Sequence, residues 1–318
     1  IQQPIADKVR RYETFITEIL HSDSGYVSSI CNYILANRGK QMRPLLVLLS
    51  AALHGEIGTR SYLGASLVEM LHTASLIHDD VVDESTERRG QLSVNAIFNN
   101  KVAVLTGDYL LATSLVHAEL TNSHQIIRLV SSLGQDLADG ELLQLSNVSN
   151  HSFSETVYFD VIRKKTAALF AACTEAAAYS VGVSEEEVKL ARLLGEYIGI
   201  CFQIKDDIFD YFDSKEIGKP TGNDMLEGKL TLPVLYALNR ANDNQAAEIA
   251  LKVKEGTATL AEIARLIAFT KENGGIEYAV RTMNAYKQKA FGLLASLPDS
   301  AICVALRSYL DYVVDREK

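Results

Sequence analysis

The chain has 318 residues, 47% apolar and 22% charged, enough for one large globular domain or two ordinary ones and unlike a disordered protein. Lys plus Arg number 31 against 40 Asp plus Glu, a net charge of −9, which argues against a general nucleic-acid-binding role because most of the surface repels polyanions. Cys31, Cys173, Cys201 and Cys303 are scattered among apolar neighbours with no CxxC pair and no zinc spacing, so buried thiols in a reducing cytoplasm are expected. No apolar run reaches the ~20 residues that span a bilayer. Ile1-Gln2-Gln3-Pro4 is neither an initiator Met nor a signal peptide, so residues upstream are expected.

Apolar residues recur at three- and four-residue spacing through most of the chain, and there are only five prolines to interrupt helices. The spacing predicts helices over 5–20, 25–37, 44–54, 60–83, 93–98, 101–120, 123–147, 154–180, 184–212, 231–241, 244–254, 259–270, 274–294 and 299–315. Pro44 and Pro233 fall where a first helical turn tolerates proline, and Ser154 and Ser184 stand where helices begin. No Asn-Gly or Asp-Gly turn separates alternating apolar runs, so no β meander is expected. One long irregular stretch remains, 213–229, with Gly218, Pro220, Gly222 and Gly228; a loop of that length in a compact domain points to function. No Pro/Ser-rich linker divides the chain. The expected fold is all-α, a single domain over 1–318 built as a large helical bundle whose central helices are apolar nearly all round.

Asp79-Asp80-Val81-Val82-Asp83 ends the apolar helix that contains Leu63 to Ile77. Residues at i, i+3 and i+4 share a helix face, so three carboxylates cluster where the helix already carries partial negative charge. Folding alone does not favour that arrangement; it needs a cation. The pattern returns as Asp206-Asp207-Ile208-Phe209-Asp210 after Leu193 to Ile204. Two such helix ends facing each other would make an oxygen-lined site suited to Mg2+, which keeps waters or phosphate oxygens in its shell.

Basic residues accompany both motifs: Arg88 and Arg89 after the first, Lys219 and Lys229 after the second. Lys40 and Arg43 stand at i and i+3 of a helix start, and Lys164-Lys165-Thr166 interrupts an apolar helix. Singly these are ordinary surface charges; together they form a basic set around an acidic one, as two diphosphates and their metal ions require. His72 lies seven residues before Asp79 on nearly the same face, which places it towards the same mouth. Five residues before Asp79, ~7.5 Å down the helix, stands Ala74 with Ser75 beside it; small side chains there allow either close helix packing or an open space.

With these motifs the sequence resembles the trans-isoprenyl diphosphate synthases, most closely the bacterial long-chain (octaprenyl-type) polyprenyl diphosphate synthases. The resemblance spans 39 to 233 in order. It covers Gly39-Lys40-Gln41-Met42-Arg43-Pro44, Leu71 to Glu84, Arg88-Arg89-Gly90, Gly107-Asp108, Gly140 to Gln144, Lys165-Thr166 and Phe202 to Asp207. It ends with Gly218 to Asp224 and Glu227 to Pro233. It implies an isoprenoid-synthase helical bundle with a central substrate cavity that joins isopentenyl diphosphate to an allylic diphosphate. It assigns Lys40, Arg43, His72 and Arg89 to the diphosphate of isopentenyl diphosphate. Arg88, Lys165, Thr166, Gln203, Lys219 and Lys229 fall to the allylic diphosphate, and magnesium to Asp79, Asp83 and Asp206 with Asp80, Asp207 and Asp210 nearby.

The resemblance also favours an open tunnel past Ala74 and Ser75 and hence a long product, a homodimer packed through helices, and transient membrane-surface contact through the lipid product. A shorter product is the first alternative. A terpene cyclase of the same helical class would not need Lys40, Arg43, His72 and Arg89, and a non-catalytic subunit could dispense with one aspartate motif. A di-iron bundle built on Glu18/His21 and Glu69/His72 would leave both aspartate motifs unexplained.

Overall fold

Helix dominates the computed structural model, which describes residues 1–88, 90–148, 152–212 and 221–316. Arg89 and Lys219, both expected to contact diphosphate, lie outside the described residues. In chain order the α-helices are α1 Ala6–Ile19, α2 Gly25–Ala36, α3 Met42–His54, α4 Thr59–Val82, α5 Val94–Phe98, α6 Asn100–Glu119, α7 His124–Val148, α8 Glu155–Ile162, α9 Ala168–Val181 and α10 Glu185–Phe209. They continue as α11 Asn223–Leu226, α12 Leu232–Ala241, α13 Asn244–Lys254, α14 Leu260–Glu272, α15 Gly275–Ala295 and α16 Ala301–Asp315.

Local chemistry explains the starts. Ser154 accepts from the Val157 N–H at 3.3 Å and Ser184 from that of Glu187 at 3.3 Å, as expected of helix caps. Thr259 and Glu262 form a reciprocal capping box at the head of α14. Pro233 occupies the first turn of α12, where its missing N–H costs nothing.

Three local features depart from the periodicity. Glu87–Arg88 pairs antiparallel with Gln91–Leu92 around Gly90 at φ 74°, a ribbon too short to show an alternating pattern. The predicted helix over 154–180 is interrupted by a π turn, Arg163–Ala167, between α8 and α9; such turns widen a helix locally and recur at functional sites. Within the stretch expected to be irregular, Asn223–Leu226 folds as the short helix α11.

The chain sorts into two compact units, each assembled from three separated stretches. The first comprises Ile1–Gln135, Leu169–Gly195 and Leu297–Leu306; the second comprises Asp136–Ala168, Glu196–Ser296 and Arg307–Lys318. In the first, α4 packs chiefly against α6 and α3. Leu46, Val47 and Leu49 of α3 and Ala65 and Leu67 of α4 are fully buried, and each of the larger side chains stabilises the fold by about 1.5–3 kcal/mol. In the second, α12 packs against α15, α14 and α8, with Leu232, Val234 and Ala237 fully buried.

All four cysteines are buried and free. Burial pushes the thiols of Cys173 and Cys201 up to about 12, which leaves them protonated and without nucleophilic character at neutral pH. Among the described residues no helix is long and apolar enough to cross a membrane.

Gly195 in α10 marks a tight helix contact of the first unit: a Cβ there would fall on the Phe170 carbonyl oxygen and the Thr174 hydroxyl. Gly195→Ala is therefore expected to destabilise the protein by about 1–3 kcal/mol through overpacking, even though alanine is the better helix former. Urea unfolding should show a lower midpoint at unchanged slope.

Candidate active site

In the first unit the last turn of α4 carries Asp79, half-buried, and Asp80, only 3% exposed, while Asp83 caps the helix and is exposed. Glu84 then turns the chain at φ 50°. A non-glycine residue in this region costs energy, so the turn is held by its surroundings. Asn95 Nδ2 supplies part of that hold, donating to the carbonyls of Asp80 at 3.3 Å and Ser85 at 3.0 Å.

Arg88, presented by the ribbon, grips Asp80 from one side. Its Nε donates to both carboxylate oxygens at 2.8 and 2.9 Å, and its Nη2 reaches Oδ1 at 2.6 Å. Both oxygens of Asp80 are thus engaged by a guanidinium fork. The same bonds orient Arg88 over the helix end.

Arg43, in the first turn of α3, donates from Nη1 to His72 Nε2 at 2.8 Å, and its guanidinium lies 5.0 Å from the Phe170 ring centroid. A guanidinium only donates, so Nε2 is the accepting nitrogen of His72. Lys40 is exposed just before α3, next to Gln41 at φ 51°. Arg43, at the start of α3, and His72, inside α4, thus meet, with Lys40 close to Arg43 in the chain.

Ala74 is fully buried, and Ser75 donates its hydroxyl to the His72 carbonyl at 2.9 Å. The first unit encloses a cavity of about 100 Å³ along the Met70, Thr73, Leu76 and Ile77 face of α4, with His72 and Arg88 also on its wall. Ala74 and Ser75 are not on that wall.

In the second unit the end of α10 is tied into a polar chain. Thr166, on the π turn, donates to Gln203 Oε1 at 2.7 Å; Gln203 Nε2 donates to Asp207 Oδ1 at 2.8 Å; Tyr158 donates to Asp207 Oδ2 at 2.5 Å. Asp207 is 2% exposed. Burial pushes its carboxyl well above the usual range and the charge of Asp224 adds to this, while the bonds from Tyr158 and Gln203 pull the other way.

Asp206 accepts from Arg316 Nη2 at 2.7 Å, and that guanidinium stacks 3.9 Å from the Phe202 ring centroid. Asp210 accepts from the backbone N–H groups of Asn223 at 2.8 Å and Asp224 at 3.2 Å, at the start of α11. Lys165 pairs with Glu141, and Lys229 with Glu227 at 2.6 Å. Gly140 makes the first pair possible: a Cβ there would strike the backbone of Lys164 and Lys165, so only glycine lets α7 approach the π turn.

Among the described residues no three His, Cys, Asp or Glu side chains gather into a cage for one metal ion. The Glu18/His21 and Glu69/His72 pairs therefore assemble no such cluster. The donor set is nevertheless one that fits magnesium: hard carboxylate oxygens at two helix ends, few per site, leaving places for waters and phosphate oxygens.

Glu141 falls within the stretch Gly140 to Gln144 that carries the resemblance, though without a role, and periodicity and motif spacing did not single out Tyr158, Phe170 or Arg316. Those three are recognisable only from what they touch.

Residues 24–270 match the family model described as polyprenyl synthetase. The chain belongs to the polyprenyl synthetase family. It is 37% identical to the octaprenyl diphosphate synthase of Haemophilus influenzae over 99% of this chain and 96% of that one. Among solved structures, one described as geranylgeranyl pyrophosphate synthase from Bacteroides thetaiotaomicron is 66% identical, with a TM-score of 0.88 over 99% of this chain and 98% of that one. A polyprenyl synthase from Caulobacter crescentus, complexed with calcium and isoprenyl diphosphate, is 32% identical with a TM-score of 0.92 over 100% and 97%. This polyprenyl synthetase is accordingly an all-α trans-prenyltransferase with the isoprenoid-synthase helical fold.

Arg88→Lys replaces the fork on Asp80 with a single point charge. The Arg88 side chain is 34% exposed, so solvent screening limits the expected loss to about 1 kcal/mol. Chemical denaturation of the variant beside the parent protein measures it.

Proposed function

We propose that this polyprenyl synthetase condenses isopentenyl diphosphate in trans onto an allylic diphosphate, with magnesium, to give a long-chain polyprenyl diphosphate. The observation that carries the reading is the state of the two acid-rich helix ends. In each, one carboxylate is buried and hydrogen-bonded, Asp80 by Arg88 and Asp207 by Tyr158 and Gln203, while a neighbour is left more accessible.

Asp79 and Asp83 in the first unit and Asp206 in the second are the residues we assign to magnesium, with Asp80, Asp207 and Asp210 holding the surrounding structure. When bound, magnesium neutralises the diphosphate leaving group. Lys40, Arg43 and His72, with Arg89, are assigned to the diphosphate of isopentenyl diphosphate. Lys165 and Lys229, with Arg88 and Lys219, are assigned to the allylic diphosphate; Thr166 and Gln203 are assigned to its reacting carbon instead, because the Thr166 hydroxyl is already given to Gln203.

The cationic side chains stabilise the oxygen charge that develops as the allylic C–O bond breaks. The isopentenyl double bond attacks the resulting allylic carbocation, a new carbon–carbon bond forms, and a proton leaves to the departing pyrophosphate. Lone pairs on Thr166 and Gln203 favour the transient positive charge. No side-chain nucleophile enters the sequence, in keeping with the burial of all four cysteines.

Relatives such as the octaprenyl diphosphate synthase of Haemophilus influenzae support a long product; Ala74 and Ser75, which lie off the cavity wall, add nothing to it. A second reading, a geranylgeranyl-length product, is favoured by the 66% identical Bacteroides relative. Exposed apolar residues on α6, Leu105 at 66% and Val116 at 64%, support a homodimer formed through that helix. The buried free thiols suit a reducing cytoplasm, where the lipid product would bring transient contact with a membrane surface.

Incubation with isopentenyl diphosphate, an allylic primer and magnesium, followed by product sizing, tests the reaction and separates the two lengths. Asp79→Ala should lower turnover about a thousandfold with an unchanged far-ultraviolet circular dichroism spectrum, and a chelator should abolish turnover reversibly. Full activity in either case refutes the metal assignment. Leu105→Glu combined with Val116→Glu should shift the protein to monomer in sedimentation experiments; an unaltered dimer refutes the α6 interface.

A further inference from the structure

Tyr158 lies in α8, outside both aspartate motifs, and its hydroxyl is spent on Asp207. The tyrosine is 6% exposed and Asp207 is 2% exposed, so neither group exchanges this bond for water at little cost. A buried bond of this kind restricts what the other partners of Asp207 do. With Oδ2 held by Tyr158 at 2.5 Å, Oδ1 accepts from the Gln203 amide nitrogen at 2.8 Å.

That contact settles which way the Gln203 amide faces. Its NH2 end is committed to a carboxylate, so its Oε1 end must face Thr166, and there it accepts the Thr166 hydroxyl at 2.7 Å. The order of donors and acceptors then runs one way, from Thr166 through Gln203 to Asp207. A Thr166 hydroxyl that gives its proton to Gln203 keeps only lone pairs for anything else it meets. A hydroxyl in that state favours positive charge beside it and disfavours negative charge. Its polarity is fixed before any substrate arrives, so no reorganisation is needed when charge develops.

We propose that Tyr158 is a positioning residue for prenyl transfer, holding Asp207 so that Gln203 and Thr166 present acceptor oxygens to the allylic cation. The proposal rests on the function assigned above and deepens it. Without the Tyr158 hydroxyl, Asp207 is free to turn within its pocket and to draw the Gln203 amide with it, which moves Oε1 off the Thr166 hydroxyl. Thr166 then loses its fixed acceptor and its hydroxyl rotates. The ground-state substrates, held by charges elsewhere in the site, bind as before. The loss falls on the step in which the cation forms.

The test is a double-mutant cycle on the full chain, with Tyr158→Phe, Gln203→Ala and the double variant assayed for condensation of isopentenyl diphosphate with an allylic primer. Tyr158→Phe is expected to lower kcat about 10- to 100-fold while KM for both substrates stays within about twofold. In the Gln203→Ala background the same substitution should cost little more, because the route it acts through is already gone. A purely structural tyrosine would cost the same in both backgrounds. If Tyr158→Phe does not fold, Asp207→Asn takes its place in the cycle, since one of the two donors then loses its acceptor. Equal losses in both backgrounds, a change confined to KM, or unchanged kcat overturns the proposal. If the parent protein itself forms no condensation product, the assigned function fails and the positioning role falls with it; normal turnover of the parent with an unaffected Tyr158→Phe variant refutes the positioning role alone.

Discussion

Negative charge gathered at the C-terminal end of a helix is the constraint on which the rest of this molecule depends. The backbone carbonyls there already carry partial negative charge, and three aspartates added to them repel each other and the helix end alike. Each unit answers this with cations and hydrogen-bond donors brought from elsewhere in the chain. Arg88 arrives on a two-residue ribbon and covers Asp80; Arg316 arrives from just beyond α16 and covers Asp206. At Asp80 the guanidinium meets the carboxylate with its donors aligned, the geometry that makes arginine better suited than lysine, while at Asp206 Arg316 reaches through Nη2.

The division of labour within each motif follows from burial. Asp80 and Asp207 are almost wholly removed from water, and a carboxylate in that position must have its lone pairs satisfied by the protein. Arg88 satisfies one, and Tyr158 with Gln203 the other. Asp79, Asp83 and Asp206 keep more of their surface, which is what binding a hydrated ion and a phosphate requires. Three consecutive-looking acids are therefore not equivalent. The helix rotates successive residues by about 100°, so neighbours in the chain face a more accessible edge and a packed interior.

The apolar scaffold makes this arrangement affordable. α3 and α4 bury nearly all their faces, and glycine admits close approach where a side chain would block it, at Gly140 beside Lys165 and at Gly195 beside Phe170. Phe170 does double duty as core and as the aromatic surface beneath Arg43.

Much of this was readable from residue order. Three- and four-residue apolar spacing placed the helices to within about three residues, because each helix buries a continuous stripe and the stripe is written locally. The paired Asp-Asp-x-x-Asp motifs and their attendant Lys and Arg carried the resemblance to the family to which the chain belongs, because clustered charge requires compensation that residue order reveals. What only the tertiary structure decided is which partner compensates which acid. Tyr158 is 49 residues from Asp207 and Arg316 is 110 from Asp206, and no local pattern marks contacts at such separation. The π turn at Arg163–Ala167 and the ribbon at Arg88 were hidden likewise, since each depends on the approach of another segment rather than on the propensities of its own few residues.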